Sequence, residues 1–155
     1  MTASAGERVF VGLGANLGDA AASVRSAFDA LDDLPDTRCV ARSSLYRSSP
    51  VDAQGPDYIN AVAQLQTRLE PLALLEALQG IEARFGRERP YRHAPRTLDA
   101  DLLLYGQRRI DTPLLTLPHP RLLERAFVLA PLAEIAPDLA MPLPAGQRIE
   151  RLDLP

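Results

Sequence analysis

Four stretches of the chain read as β-strands and two as amphipathic helices. Residues 8–13 form a short apolar run, and Gly14 to Asp19 a turn whose last residue is suited to cap a helix. Residues 20–34 are that helix, with Val24, Ala27, Phe28 and Leu31 on one face. Pro35 and Asp36 stop it. Residues 37–48 then alternate, Cys39, Ala41, Ser43 and Leu45 against Arg38, Val40, Arg42 and Tyr46. A loop from Ser48 to Pro56 leads to a third strand at 58–68, where Ile59, Ala61, Ala63 and Leu65 oppose Tyr58, Asn60 and Val62. Pro71 suits a first helical turn. Leu74, Leu75, Leu78, Ile81 and Phe85 give a second helix its apolar stripe, and Gly86 is its natural stop. Residues 86–95 read as a loop, 97–105 as the fourth strand, and Gly106-Gln107 as a turn.

Eight of the 14 prolines lie from position 113 onward. Short helices near 120–125 and 127–136, closed by Pro137, and a peripheral tail after about residue 142 complete the chain. The order β-α-β-β-α-β predicts an α+β domain: a ferredoxin-like antiparallel sheet with helices on one face and helical additions at its C-terminal end. The other sheet face is then free to carry a site. Many unrelated functions use this arrangement, so the chemistry must come from particular residues.

The fourth strand carries the most informative of them. Arg96-Thr97-Leu98-Asp99-Ala100-Asp101-Leu102-Leu103-Leu104 sets two carboxylates two residues apart in an apolar run. On a strand Asp99 and Asp101 share a face, roughly 6–7 Å apart, while Leu98, Ala100, Leu102 and Leu104 face the core. Like charges so placed repel unless a cation or an arginine lies between them. An isolated Asp-x-Asp is ordinarily a solvated pair bridged to arginine. Here five arginines and only one acid, Glu88, fall between Arg84 and Arg96, which points to metal ions and phosphate. Hard cations such as Mg²⁺ take carboxylate oxygens and keep water and phosphate as other ligands. Arg84 and Arg92 read as solvated charges. Arg87, Arg89 and Arg96 suit bidentate phosphate binding.

Composition narrows the classes. A length of 155 residues predicts one domain, and 46% hydrophobic residues is ordinary for a globular protein. No apolar stretch is long enough to span a membrane, and the N-terminus has no signal-peptide pattern. The lone Cys39 fits a reducing compartment. A net charge of −3 argues against general nucleic-acid binding. All 17 basic residues are arginine, which excludes a Schiff-base lysine and a phosphate loop ending in Gly-Lys-Ser/Thr. The glycines at 12, 14 and 18 do not match G-x-G-x-x-G and read as a tight turn. With His93 and His119 the only histidines, a structural zinc site has no ligand set. His119, between two prolines, is either structural or a phosphate donor. Asn60, unusual within a strand, is either packed or reads the edge of a flat heterocycle near Tyr58 and Phe127.

Four segments in order resemble the 6-hydroxymethyl-7,8-dihydropterin pyrophosphokinase family, from about Val9 to Leu139. They are Gly14-Ala15-Asn16-Leu17-Gly18, Pro56-Asp57-Tyr58-Ile59-Asn60-Ala61, Pro95-Arg96-Thr97-Leu98-Asp99-Ala100-Asp101, and Pro118-His119-Pro120-Arg121 through Arg125-Ala126-Phe127. The resemblance implies transfer of diphosphate from ATP to the pterin hydroxymethyl group, releasing AMP, in folate biosynthesis. It implies that Asp99 and Asp101 hold two Mg²⁺ ions and that Arg87 and Arg96, helped by Arg89, stabilise the phosphates. Gln79 and His119 would hold ATP, with Leu75, Leu102, Leu115 and Thr116 on its adenine side. Asn60 would bond the pterin and Phe127 stack on it, with Tyr58 and the backbone near Ser48 and Val51 completing the pocket and Arg125 at its edge. The chain departs from the family in having His93 where a Trp is usual, a slightly shorter loop between Arg89 and Arg96, and Ala15 for a common Ser. The expectation is a monomeric cytoplasmic enzyme that binds ATP and the pterin, and neither nucleic acid nor membrane. Two other readings are a non-catalytic ferredoxin-like module binding nucleotide or RNA, and a metal-dependent phosphohydrolase.

Overall fold

The alternation of the first, third and fourth apolar segments becomes the centre of one antiparallel sheet. The structure, a computed structural model, describes residues 6–16, 19–49, 57–86 and 98–152. Strand β1 is Glu7–Ala15, β2 Thr37–Arg42, β3 Tyr46–Ser48, β4 Tyr58–Thr67 and β5 Asp99–Tyr105. Helix α1 is Ala20–Asp32 and α2 Pro71–Gly86. The order across the sheet is β5-β1-β4, with β2 and β3 sharing the far edge of β4, all antiparallel. Each helix thus crosses over a strand that lies between the two it connects, as the β-α-β-β-α-β order predicts.

Asp19 caps α1 as expected, its Oδ1 accepting the Ala22 backbone N–H at 3.1 Å. Val24, Ala27, Phe28 and Leu31 of α1 and Leu74, Leu78 and Ile81 of α2 bury one sheet face, against Val9, Val11, Leu13, Ala61, Ala63 and Leu65. Helix α3, Ala126–Ile135, lies on the opposite face and packs Val128, Leu129 and Leu132 on Phe10, Val62 and Leu103. Burying each of the Val, Leu, Ile and Phe side chains among these stabilises the fold by about 1.5–3 kcal/mol. The second face is therefore only partly free: α3 covers one end and leaves the other open.

Several boundaries differ from the sequence reading. The single strand expected at 37–48 is broken at Ser43–Leu45, where the Ser43 hydroxyl accepts the Val62 N–H at 2.9 Å in place of a ladder carbonyl. Strict alternation also fails twice. The register shifts between Cys39 and Ala41 on β2, so Arg42 turns onto α1 and bonds Asp29 at 3.0 Å. On β5, Phe10 pairs with Leu104 but Val11 with Leu102, leaving Leu103 as an extra residue. Leu98, Ala100 and Leu102 enter the first core as expected. Leu104 does not: the bulge sends it to the α3 side. A 3-10 turn at Leu122–Glu124 replaces the expected helix at 120–125, and a second one runs from Pro137 to Leu139. Three short strands were not legible: β6, Ile110–Asp111, pairs with β7, Thr116–Leu117, and β8, Ile149–Arg151, extends the main sheet beyond β3. The tail is thus tied to the sheet edge. Among the described residues no helix is long and apolar enough to cross a membrane.

Candidate active site

The open end of the second sheet face gathers Ser48, Tyr58, Asn60, Asp99, Asp101, Arg125 and Phe127 of the residues singled out above. Register sets Gly14 between Asp99 and Asn60, and Gly12 between Asp101 and Val62. Tyr46 lies beyond Asn60, and Ser48 opposite Tyr58. The two carboxylates and the Asn60 amide therefore stand on one sheet face, separated only by glycine. Both aspartates share that face because the bulge falls after them, at Leu103. A cavity of about 920 Å³ opens above this row, of the size that takes small-molecule ligands. Its facing wall is built from the turn before α3 and the start of that helix, including Arg121, Arg125 and Phe127, with Pro144 and Gln147 of the tail closing one side.

Asn60 is buried, and the Ser48 hydroxyl donates to its Oδ1 at 2.6 Å. That bond fixes the orientation of the amide. A side chain at Gly14 would meet Asn60 Nδ2 at 3.1 Å, so glycine there leaves the amide its room beside β1. Among the described residues Nδ2 has no hydrogen-bond partner. Arg125 reaches across the cavity, its Nη1 3.5 Å from Asp101 Oδ2, and its guanidinium carbon is 5.6 Å from the Phe127 ring centroid. A cationic group thus already sits at the aspartate pair.

A second group surrounds the outer edge of β5. Glu82 of α2 accepts the Ala100 N–H at 2.8 Å, and the His119 N–H donates to Leu103 O at 2.9 Å. Leu75, Leu102 and Leu115 meet in the first core, Leu102 and Leu115 being buried there rather than lining the cavity. Gln79 is exposed on α2, and Thr116 is half-buried on β7. His119 Nδ1 accepts the Arg121 N–H at 3.1 Å. Burial lowers its pKa from the ordinary 6.5; Asp101 opposes this, and Arg125 and Arg121 add to it. The neutral ring then carries its proton on Nε2. Arg87, Arg89, Arg96 and Val51 lie outside the described residues, as do Leu17, Gly18, the rest of residues 50–56 and the rest of residues 87–97, His93 among them.

Two contributors were missed from sequence. Glu134, on α3, accepts from the Ser44 N–H at 3.0 Å, the Ser44 hydroxyl at 2.8 Å and the Tyr46 hydroxyl at 2.8 Å. Burial raises its pKa, but the bonds from Tyr46 and Ser44 and the charge of Arg151 outweigh that and hold it below the ordinary 4.5. Burial and the same carboxylate push Tyr46 up to about 12. Gln147, in a tail without periodicity, lines the cavity itself.

Comparison with known proteins gives consistent matches. Residues 10–137 match the family model described as 7,8-dihydro-6-hydroxymethylpterin-pyrophosphokinase. The chain is 50% identical over 137 residues to the 2-amino-4-hydroxy-6-hydroxymethyldihydropteridine pyrophosphokinase of Pseudomonas aeruginosa, covering 88% of this chain and 85% of that one. It is 46% identical over 134 residues to the protein of that name from Haemophilus influenzae, covering 86% and 84%. Among solved structures, a triple mutant of HPPK-DHPS from Plasmodium falciparum with pteroate superposes with a TM-score of 0.63 at 12% identity, over 83% of this chain. An HPPK-DHPS in complex with substrates gives 0.64, also at 12% identity, over 85% of this chain. This chain spans about two fifths of the length of those two proteins, 39% and 40%, and the likeness to them is one of fold.

Proposed function

The chain belongs to the 7,8-dihydro-6-hydroxymethylpterin-pyrophosphokinase family, and on that premise we propose how its residues carry the reaction. It is a pyrophosphokinase of folate biosynthesis: diphosphate passes from ATP to the hydroxymethyl oxygen of 6-hydroxymethyl-7,8-dihydropterin, and AMP leaves. The pterin lies on the sheet face. Asn60 donates to its polar edge, held to that task by Ser48. Phe127 stacks on the ring from the facing wall, Tyr58 and the backbone near Ser48 and Val51 close the pocket, and Arg125 stands at its rim.

ATP lies against the outer edge of β5. Leu75, Leu102, Leu115 and Thr116 shape the adenine side, Gln79 and His119 hold the nucleotide, and His119 Nε2–H donates to phosphate. Asp99 and Asp101 hold two Mg²⁺ ions. The donor set fits: two carboxylates line the cavity from one sheet face, and an arginine is already drawn to Asp101. Such ions, when bound, neutralise charge on the phosphate oxygens. Arg87 and Arg96, with Arg89, add guanidinium donors to the same oxygens. Their segment ends at Leu98, which is 1% exposed and anchored in the core beside Asp99. The pterin hydroxyl oxygen bonds to the β-phosphorus as the bond from that phosphorus to the α-phosphate oxygen breaks; AMP leaves on that oxygen and the hydroxyl proton passes to water, the step being driven by alignment and charge neutralisation. The enzyme works as a single domain over residues 1–155, monomeric and cytoplasmic, in keeping with the half-buried free Cys39.

The observation that supports the site assignment is the row Asp99–Gly14–Asn60, with both carboxylates and the Asn60 amide on one cavity floor. AMP formation should require ATP, Mg²⁺ and the hydroxymethylpterin together. Asp99→Ala and Asp101→Ala should each abolish it with the circular dichroism spectrum unchanged, and calorimetry should show weakened uptake of Mg²⁺ with a non-hydrolysable ATP analogue. A near-native rate in either variant at saturating Mg²⁺ refutes the assignment. Phosphate release without pterin would indicate a hydrolase instead.

A further inference from the structure

We infer that Gln147 is a positioning residue for the pterin pocket, clamping the peptide that carries Arg125 and Phe127. The inference rests on the pterin-side reading of those two residues. They flank Ala126, the first residue of α3. A helix start leaves backbone N–H groups without intrahelical partners, and a polar side chain at the cap usually takes one. Arg125 occupies the cap position with extended backbone (φ −123°, ψ 101°) and makes no side-chain cap bond. Gln147 supplies it from the tail: its Oε1 accepts the Ala126 N–H at 2.8 Å, and its Nε2 donates to Glu124 O at 2.7 Å. One planar carboxamide thus holds the peptide groups on both sides of Arg125. That fixes the backbone from which Arg125 reaches Asp101 and from which Phe127 faces the cavity.

The tail is built to deliver this group. Gly146 adopts φ +81°, a left-handed turn that admits glycine without strain, and Gln147 follows it directly. Two residues later β8 begins, and Ile149 pairs with Ser48, the residue that orients Asn60. The segment 147–151 therefore spans both walls of the pocket: Gln147 secures the Arg125–Phe127 side, and β8 the Ser48–Asn60 side.

Gln147→Ala removes both clamp bonds. The expected result is a rise of about tenfold in KM for the pterin, the size of losing two ordinary hydrogen bonds, with a smaller fall in kcat. Affinity for a non-hydrolysable ATP analogue should not change. Gln147→Glu keeps the volume and the acceptor for Ala126 but opposes the Glu124 carbonyl with a carboxylate oxygen, and should raise the pterin KM at least as far. If the alanine variant folds too poorly to assay, this near-isosteric variant carries the same test. A pterin KM within twofold of the wild type in both variants, or a parallel loss of ATP-analogue and pterin binding, overturns the clamp. Phe127→Ala run alongside separates the premises: if it leaves pterin KM unchanged, the pocket reading falls; if it raises KM while the Gln147 variants do not, only the clamp falls.

Discussion

Truncating Glu134 tests whether α3 is tied to the sheet by its carboxylate as well as by its apolar face. Glu134→Ala removes acceptors for the Ser44 N–H, the Ser44 hydroxyl and the Tyr46 hydroxyl, at 3.0, 2.8 and 2.8 Å. Hydrogen bonds to a charged group are worth about 1.5–3 kcal/mol each, but the desolvation of the half-buried carboxylate offsets part of that. The Tyr46 residue is 7% exposed, and its orphaned hydroxyl adds a penalty of about 1–3 kcal/mol. Half-buried Ser44 recovers water. Arg151, whose side chain is 62% exposed, contributes roughly 0–1 kcal/mol. The net expectation is a loss of about 3 kcal/mol, a fall of roughly 1–2 M in the urea midpoint at unchanged slope. Glu134→Gln should cost roughly half as much, because its amide nitrogen faces donors. The carboxylate's pKa is lower in the fold than the unfolded 4.5. Its contribution is thus present above pH 4.5 and is lost as pH falls through the lower folded value, where Glu134→Gln and wild type should converge. A loss under about 1 kcal/mol in the alanine variant at pH 7, or a constant gap between wild type and Glu134→Gln down to strongly acid pH, refutes the reasoning.

Two further outcomes probe the site. Gly14→Ala places a methyl 3.1 Å from Asn60 Nδ2 while Ser48 holds the other end of the amide at 2.6 Å; the amide must shift by a few tenths of an ångström, and pterin KM should rise on the order of tenfold with ATP-analogue binding intact, whereas an unchanged KM would show that the amide does not read the pterin. His119 has a folded pKa below 6.5, chiefly through burial, so its contribution to stability is present above pH 6.5 and lost as pH falls through the folded value. His119→Asn should therefore lose less urea resistance than wild type between pH 7 and pH 5, and equal slopes would contradict the burial argument.

What the sequence revealed was the part of the fold that repeats locally. Helical spacing predicted both α1 and α2, and the period of two put Ile59, Ala61, Ala63 and Leu65 on the core side of β4. The same reasoning misplaced Leu104 and Arg42, because a β-bulge leaves no mark in a hydrophobic pattern; only pairing with a neighbouring strand defines it. The site followed the same division. Asp99, Asp101 and Asn60 were legible because each breaks an apolar strand, and a polar group there needs a reason. Glu134 and Gln147 were not, because each lies in a segment where a polar residue is unremarkable, a helix flank and a proline-rich tail. Their roles arise from contacts 90 and 21 residues away in sequence. The bulge at Leu103 joins the two kinds of residue. It returns Leu104 to the α3 side after Asp99 and Asp101 have faced the cavity, so one strand both presents the carboxylates and packs the helix whose first turn carries Phe127. The aspartate pair and the ring facing it are therefore linked through one apolar cluster, in which Leu103 of β5 and Val128, Leu129 and Leu132 of α3 meet Phe10 and Val62. Loosening that cluster with Leu129→Ala should raise the pterin KM at urea concentrations below the unfolding transition; a KM that changes only as the sheet unfolds would contradict it.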